Sequence, residues 1–509
     1  MTALLPLVVA LPFLAGAVTL VTVRWPRIQR VVALATLGAG LGLALALGAG
    51  VIAGGPVAVQ VGGWPAGYAI PLVADGLAVS LMVVMSLLAI ACVTFAMVTR
   101  EDRDRRYLPL ILIVIGGVTG ALLTGDLFNL FVFFEVMLAG SYVLIGIGRG
   151  AIRPSAVYII VSLIASTLLL AGVALLYGAA GTVHLGRLHG AALGDDATAL
   201  ATVVILIALA VKSAAVPVHG WLPNAYPAAM PGVTALFSGL LTKVGVYALL
   251  RVSSVLFDGQ SMLPAVWAVV AVTTMVVGVA GALGRSDVSG ILAFHMVSQI
   301  GYLLAILALM DSPAAVAAGI FFLLQYILVK GGLFLVAGVI AHNEGSQRLS
   351  DLAQVARRSP ALAAVFLILA LSLAGLPPLS GFVAKYLLAI AAFEAGAFAV
   401  GGAIVAVSLF TLLSMLKIWN EVFWSEHTGA TDVPRSRSRV VTVPAGGSDD
   451  PAQVRPPRRS LRRVLLIAPA ATLAAITLAA GLGAAPIIEI AEVAATHLLD
   501  PTEYARVTS

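Results

Sequence analysis

Cysteine is nearly absent: Cys92 is the single thiol in 509 residues. One thiol forms no intramolecular disulfide and no multi-cysteine metal or iron–sulfur site, and inside an apolar run Cys92 reads as a small core residue. Charge is scarce as well. Asp, Glu, Lys and Arg make up 10% of the chain and hydrophobic residues 61%, whereas soluble domains carry roughly a quarter charged residues. A soluble globule is thereby excluded, and the chain reads as an all-α polytopic membrane protein. The first segment, MTALLPLVVALPFLAGAVTLV, lacks a positive n-region, so a retained helix is expected there and not a cleaved signal peptide. There is no GxGxxG with a helix behind it, hence no encoded dinucleotide site and no expected cofactor or metal.

Lysine is rare too, and its placement is the most informative feature of the chain. All five lysines (Lys212, Lys243, Lys330, Lys385 and Lys417) lie inside apolar stretches, whereas the loops carry the 24 arginines. An ammonium at membrane depth costs roughly 2.5–3.5 kcal/mol on insertion scales and is a functional candidate by default. Lysine, unlike arginine, can give up its proton when desolvated. The net charge of +6 resides in short arginine-bearing loops, a pattern of membrane orientation that leaves no basic surface for nucleic acid.

Hydropathy predicts about 14 transmembrane helices, near 3–23, 31–53, 74–98, 107–124, 127–147, 155–177, 198–226, 232–251, 263–283, 287–308, 314–341, 360–389, 398–421 and 464–488. With the N-terminus outside, 21 of the 24 arginines fall on the cytoplasmic side, and only Arg187, Arg251 and Arg506 fall outside. The positive-inside rule then places both termini outside. The segment 425–462, rich in Pro, Ser, Gly and charge, reads as a flexible cytoplasmic loop.

Two prolyl clusters mark broken helices. Pro217 and Pro223 interrupt the seventh segment, and Pro377, Pro378 and Gly381 interrupt the twelfth just before Lys385. Proline removes a backbone donor and clashes with the preceding turn, and broken backbone survives in a bilayer only where protein or water covers it. Lys212 and Lys243 are 31 residues apart, and Lys385 and Lys417 are 32 apart. Paired breaks and paired spacings predict two inverted five-helix repeats, helices four to eight and nine to thirteen, with broken helices 7 and 12. The expected divisions are an N-terminal three-helix segment (1–106), a first repeat (107–256), a second repeat (257–424), the loop (425–462) and a C-terminal helix and tail (463–509).

Glu135 is the acid placed mid-membrane, on the fifth segment, and Lys212 is its natural partner, since a lone buried carboxylate is prohibitive. Lys243, His295, Lys330 and Lys385 follow on later helices and extend the pair into a lateral proton relay. Read singly, His295 is a neutral core residue, and Lys330 or Lys417 could snorkel to an interface; Lys417, with Glu421 one turn away, is the stronger snorkelling case. Asp126, near the outer end of the fifth segment, reads equally as an ion ligand or as a helix N-cap.

The motifs DLFNLFVFFEVMLAGSYVLIG, HGWLPNAYPAAMP, LLTKVGVYALLR, AFHMVSQIGY, GLPPLSGFVAK and KIWNEVFW resemble those of the antiporter-like membrane subunits shared by Mrp-type multisubunit Na+/H+ antiporters and respiratory complex I, most closely the D-type subunit of the Mrp antiporters. The resemblance runs from the first helix to about Trp424. It implies fourteen helices with two inverted five-helix units. It further implies an ion pair of Glu135 and Lys212, a bridging Lys243, a central His295 and Lys330, and a terminal Lys385, with Asp126, Lys417 and Tyr326 as supporting residues. Relatives often carry histidine one turn before Lys330, where this chain has Gln325 and Tyr326.

The implied activity is proton-coupled extrusion of Na+ or another monovalent cation by a non-enzymatic transporter subunit. Other hydrophobic subunits would be its partners, and a bacterial inner membrane its location. The alternative is a proton-pumping subunit of complex I or a membrane-bound hydrogenase; a stand-alone solute transporter is a third reading.

Overall fold

The computed structural model describes residues 2–65, 67–147, 152–426 and 459–508. The helices in chain order are α1 (Leu4–Val21), α2 (Pro26–Gly54), α3 (Gly76–Thr99), α4 (Tyr107–Leu123), α5 (Leu127–Ile147), α6 (Ile152–Ala180) and the short α7 (Ala191–Gly194). Next come α8 (Asp196–Lys212), α9 (Trp221–Ala225), α10 (Pro231–Leu256), α11 (Pro264–Gly284), α12 (Val288–Ala308), α13 (Pro313–Glu344) and α14 (Val355–Arg358). The chain continues with α15 (Pro360–Ala374), α16 (Ser380–Glu394), α17 (Phe398–Ile418), α18 (Arg459–Leu482), α19 (Ala485–Leu499) and α20 (Pro501–Thr508).

Eleven of these helices are long and apolar enough to cross a membrane, or twelve if the bent pair Leu185–Gly194 and Asp196–Lys212 counts as one span. The remaining expected segments correspond to α4 and to the broken pairs α8/α9 and α15/α16. Asp75, Asp195, Asp287 and Ser312 start α3, α8, α12 and α13 by accepting a backbone N–H three residues on, which satisfies donors the helix cannot pair itself. Most of the expected loop, from 427 to 458, lies outside the described residues.

Hydropathy did not announce a two-stranded antiparallel hairpin, β1 (Val57–Gln60) with β2 (Pro71–Ala74), paired Val57 with Ala74. Nor is the expected tail after the last span extended. The span ends at Leu482, and α19 and α20 fold back onto the end of the bundle that bears the hairpin. The Ser254 hydroxyl donates to the Leu498 carbonyl, Gln60 Nε2 donates to the Thr508 carbonyl at 2.8 Å, and the Gly76 N–H donates to His497 Nδ1 at 3.2 Å.

Burial sorts the helices. The apolar stretches of α10 and α13 are wholly buried, whereas α1, α2 and α11 keep about two-thirds of theirs outward. At 32 residues α13 is roughly 48 Å long, and it packs against α3, α10, α12, α15, α16, α18 and α19. It is the axle of the bundle: it carries Lys330, and its neighbours α10 and α16 carry Lys243 and Lys385.

The breaks lie next to the expected residues but not on all of them. Lys212 ends α8, and residues 213–220, with Pro217, form the first break. Pro223 sits inside α9, a first-turn position where its missing N–H costs nothing. The second break is 375–379, with Pro377 and Pro378. Gly381 belongs to α16 and not to the break: a Cβ there would lie 1.7 Å from the Ser372 carbonyl oxygen. Glycine at this position lets α16 close on α15.

Candidate functional site: a row of buried cations

The lysine-bearing helices α8, α10, α13 and α16 pack as successive neighbours, and α6 stands between α5 and α8. Lys212, Lys243, Lys330, Lys385 and His295 are all buried. These five expected residues are therefore buried on helices that pack in succession, whereas Glu135 at the acidic end is half-buried.

No ion pair joins Glu135 to Lys212. Lys212 Nζ donates to Ser166 Oγ of α6 at 2.7 Å and lies 4.9 Å from the centroid of the Phe134 ring. Glu135, the next residue on α5, is half-buried, with Oε1 free of hydrogen-bond partners. A cavity of about 20 Å3 touches Lys212, Ser162, Tyr158 and Trp221, which is room for one water. The lysine has turned to a hydroxyl in place of the expected carboxylate.

The other cations follow one pattern. Lys243 Nζ donates to the Ser238 carbonyl at 2.5 Å and to Thr242 Oγ1 at 3.2 Å, with the Tyr326 ring 4.5 Å away. Lys330 Nζ has no hydrogen-bond partner and lies 5.4 Å from the Phe334 ring. Lys385 Nζ donates to the Leu373 carbonyl at 2.8 Å, with the Tyr302 ring 4.8 Å away. His295 Nε2 shares a hydrogen bond with Ser414 Oγ of α17, while Nδ1 has none. The aromatic faces supply negative quadrupole without supplying a carboxylate.

Both helix breaks set a helix C-terminus beside a buried lysine. Lys212 is itself the last residue of α8, and Lys385 reaches the closing carbonyls of α15 across the second break. A helix C-terminus carries roughly half a negative charge, so each break stabilises a cation without fixing it. The similar lysine spacings, 31 and 32 residues, do not give equal settings, since Lys212 precedes its break and Lys385 follows its own.

Three supporting assignments resolve differently. Lys417, half-buried, donates to the Leu283 and Arg285 carbonyls at 3.0 and 2.8 Å, capping α11. Asp126 is the N-cap of α5, accepting the Asn129 N–H at 2.8 Å. Tyr326 is the ring beneath Lys243, whereas Gln325 faces away from it, into a separate apolar cavity.

One buried charge is not evident from the arginine distribution. Arg251, an outer arginine by the positive-inside rule, is buried near the end of α10 and ion-paired with Asp75 at the start of α3, its guanidinium 4.8 Å from the Tyr504 ring of α20. Its apolar flanks, VYALL and VSSVL, were the available signal. At the opposite end of α10, a polar cavity of about 520 Å3 is bordered by Glu101, Pro231, His342 and Gln347. From there Thr234, Ser238 and Thr242, all buried, stand four residues apart up α10 to Lys243, a row of hydroxyls on one helix face.

Residues 124–411 match the family model described as NADH:quinone oxidoreductase/Mrp antiporter, TM. The D-type subunit of the Na(+)/H(+) antiporter of Alkalihalophilus pseudofirmus is 34% identical over 99% of each chain. A chain in the structure of the Mrp complex from Dietzia sp. DQ12-45-1b superposes with a TM-score of 0.92 at 44% identity, covering all of both chains. A chain of respiratory complex I from Thermus thermophilus shares the fold, with a TM-score of 0.77 at 24% identity over 97% of this chain and 99% of that one. The chain belongs to the NADH:quinone oxidoreductase/Mrp antiporter family of membrane subunits, and within it to the D-type subunits of the Mrp antiporters.

Proposed function

We propose that this chain is the proton-translocating D-type subunit of a multisubunit cation/proton antiporter, working through Glu135, Lys212, Lys243, His295, Lys330 and Lys385. One observation carries the reading: four lysine side chains on successive neighbouring helices are buried, and none is ion-paired with a carboxylate among the described residues. A structural role would call for paired charges, because an unpaired buried ammonium is costly. A relay calls for groups that can lose and regain the charge.

Charges on helices packed roughly 10 Å apart repel by about 1.7 kcal/mol at an effective dielectric near 20. Protonating one lysine therefore disfavours protonating the next by more than tenfold. When Lys212 leaves Ser166 for Glu135, its field at Lys243 is neutralised and Lys243 can take a proton, supplied along Thr242, Ser238 and Thr234 from the polar cavity. The change passes through Lys330 and His295 to Lys385, poised at the end of α15. Other membrane subunits complete the cation path, and the exchanged ion is Na+ or another monovalent cation. The bacterial inner membrane, with both termini outside, suits the arginine distribution.

The test is proton-coupled Na+ efflux by the assembled complex in inverted vesicles. Lys385→Arg keeps the charge and forbids its loss, so exchange is expected to fall about a hundredfold with assembly intact, as it should for Glu135→Ala. Full exchange by Lys385→Arg would overturn the relay.

A further inference from the structure

A second cavity, of about 270 Å3, lies on the other side of α13 from Lys243, walled by α2, α3, α13, α18 and α19. Its lining is apolar apart from two side chains, Ser80 and Gln325. Gln325 is 5% exposed, lines the cavity, and its Oε1 has no hydrogen-bond partner. A buried amide oxygen left unpaired costs roughly 1–3 kcal/mol, a cost that a bound group with a hydroxyl would remove.

The occupant is limited by charge and size. The cavity runs from the hairpin-bearing end of the bundle, at Ile52, Gly76 and Val493, down to Gln325 on α13. No charged side chain lines the cavity, so a neutral molecule is called for. The α2 wall is outward-facing, with Leu45 and Ile52 more than half exposed, which puts the opening on the hydrocarbon side. A cavity of about 150 Å3 takes a benzene; this one has room for a body of roughly ten carbons.

We infer that the cavity between α2, α3, α13, α18 and α19 binds a compact neutral amphiphile dissolved in the bilayer, a hydroxyl on an apolar body, with the hydroxyl on Gln325. Ser80 is the second polar group within the same walls. The site is separate from the cation row and stands whether or not the relay does.

The test uses the assembled complex in liposomes and a ten-carbon alcohol bearing a diazirine, with the labelled peptides mapped after irradiation. Label is expected on the α3 and α13 walls, at Val83, Leu324 or Leu328, and should be displaced by unmodified 1-decanol. Gln325→Leu should reduce labelling about threefold to tenfold, the worth of one hydrogen bond. Gly48→Phe should abolish it, because a Cβ at Gly48 meets only Val79, at 3.9 Å, and the ring would fill the cavity from the α2 side. Equal labelling of the wild type and Gln325→Leu would mean that the cavity holds the apolar body without a hydrogen bond to Gln325, and would overturn the inference. So would absence of label on these walls, or undiminished label in Gly48→Phe.

Discussion

The ammonium of Lys243 rests 4.5 Å from the centre of the Tyr326 ring, on the helix next to its own. No acid shares that contact, so the ring holds the charge without neutralising it, and the lysine stays free to titrate.

Removing that ring should slow exchange without dissolving the site. A desolvated cation–π contact is worth about 2 kcal/mol, so Tyr326→Leu is expected to lower the initial rate of proton-coupled Na+ efflux about thirtyfold, whereas Tyr326→Phe keeps most of it. If Phe and Leu are equally impaired, the hydroxyl and not the ring face is what matters.

The pair of Arg251 and Asp75 ties α10 to α3, and α20 covers it through Tyr504. Breaking a buried pair from one side costs about 3–5 kcal/mol, whereas removing both partners often costs little. Arg251→Met should therefore sharply lower the thermal stability of the purified complex. Asp75→Asn combined with Arg251→Met should recover most of it, because the asparagine can still cap α3. A double variant no better than the single would show that the pair is not what stabilises this end.

Acid should loosen the C-terminus. The Asp500 carboxyl is held below the usual carboxylate range, chiefly by the Thr502 hydroxyl and then by the Glu503 and Thr502 backbone N–H groups, against some desolvation. A group depressed in the folded state contributes fully above its unfolded value near 3.9 and loses that contribution as pH falls through the folded value. The protection factor of the α20 amides, exchange relative to the intrinsic rate, is expected to be constant from about pH 7 to 5 and to fall below about pH 4. Asp500→Asn should abolish that fall; an unchanged fall would assign it to another group.

Much of this was legible in the chain. Hydropathy and the arginine distribution read local composition, which is why α1 to α6 and α10 to α13 lie where expected, and Pro217 and Pro377 announced the breaks because proline acts on its own turn. Gly381 misled because its role is not local: it lets α16 approach Ser372. The partners of Lys417 were not legible because the carbonyls that hold it lie 132 and 134 residues away.

What the sequence by itself determined is that the chain spans a bilayer, that two spans break, and that titratable cations lie in the core, since each follows from the transfer energy or backbone limits of neighbouring residues. The tertiary structure alone decided what each cation meets: Ser166 and not Glu135 for Lys212, ring faces for Lys243 and Lys330, the end of α15 for Lys385, and Asp75 for Arg251. Those contacts depend on how helices distant in the chain rotate against one another, which periodicity in a uniformly apolar helix does not encode.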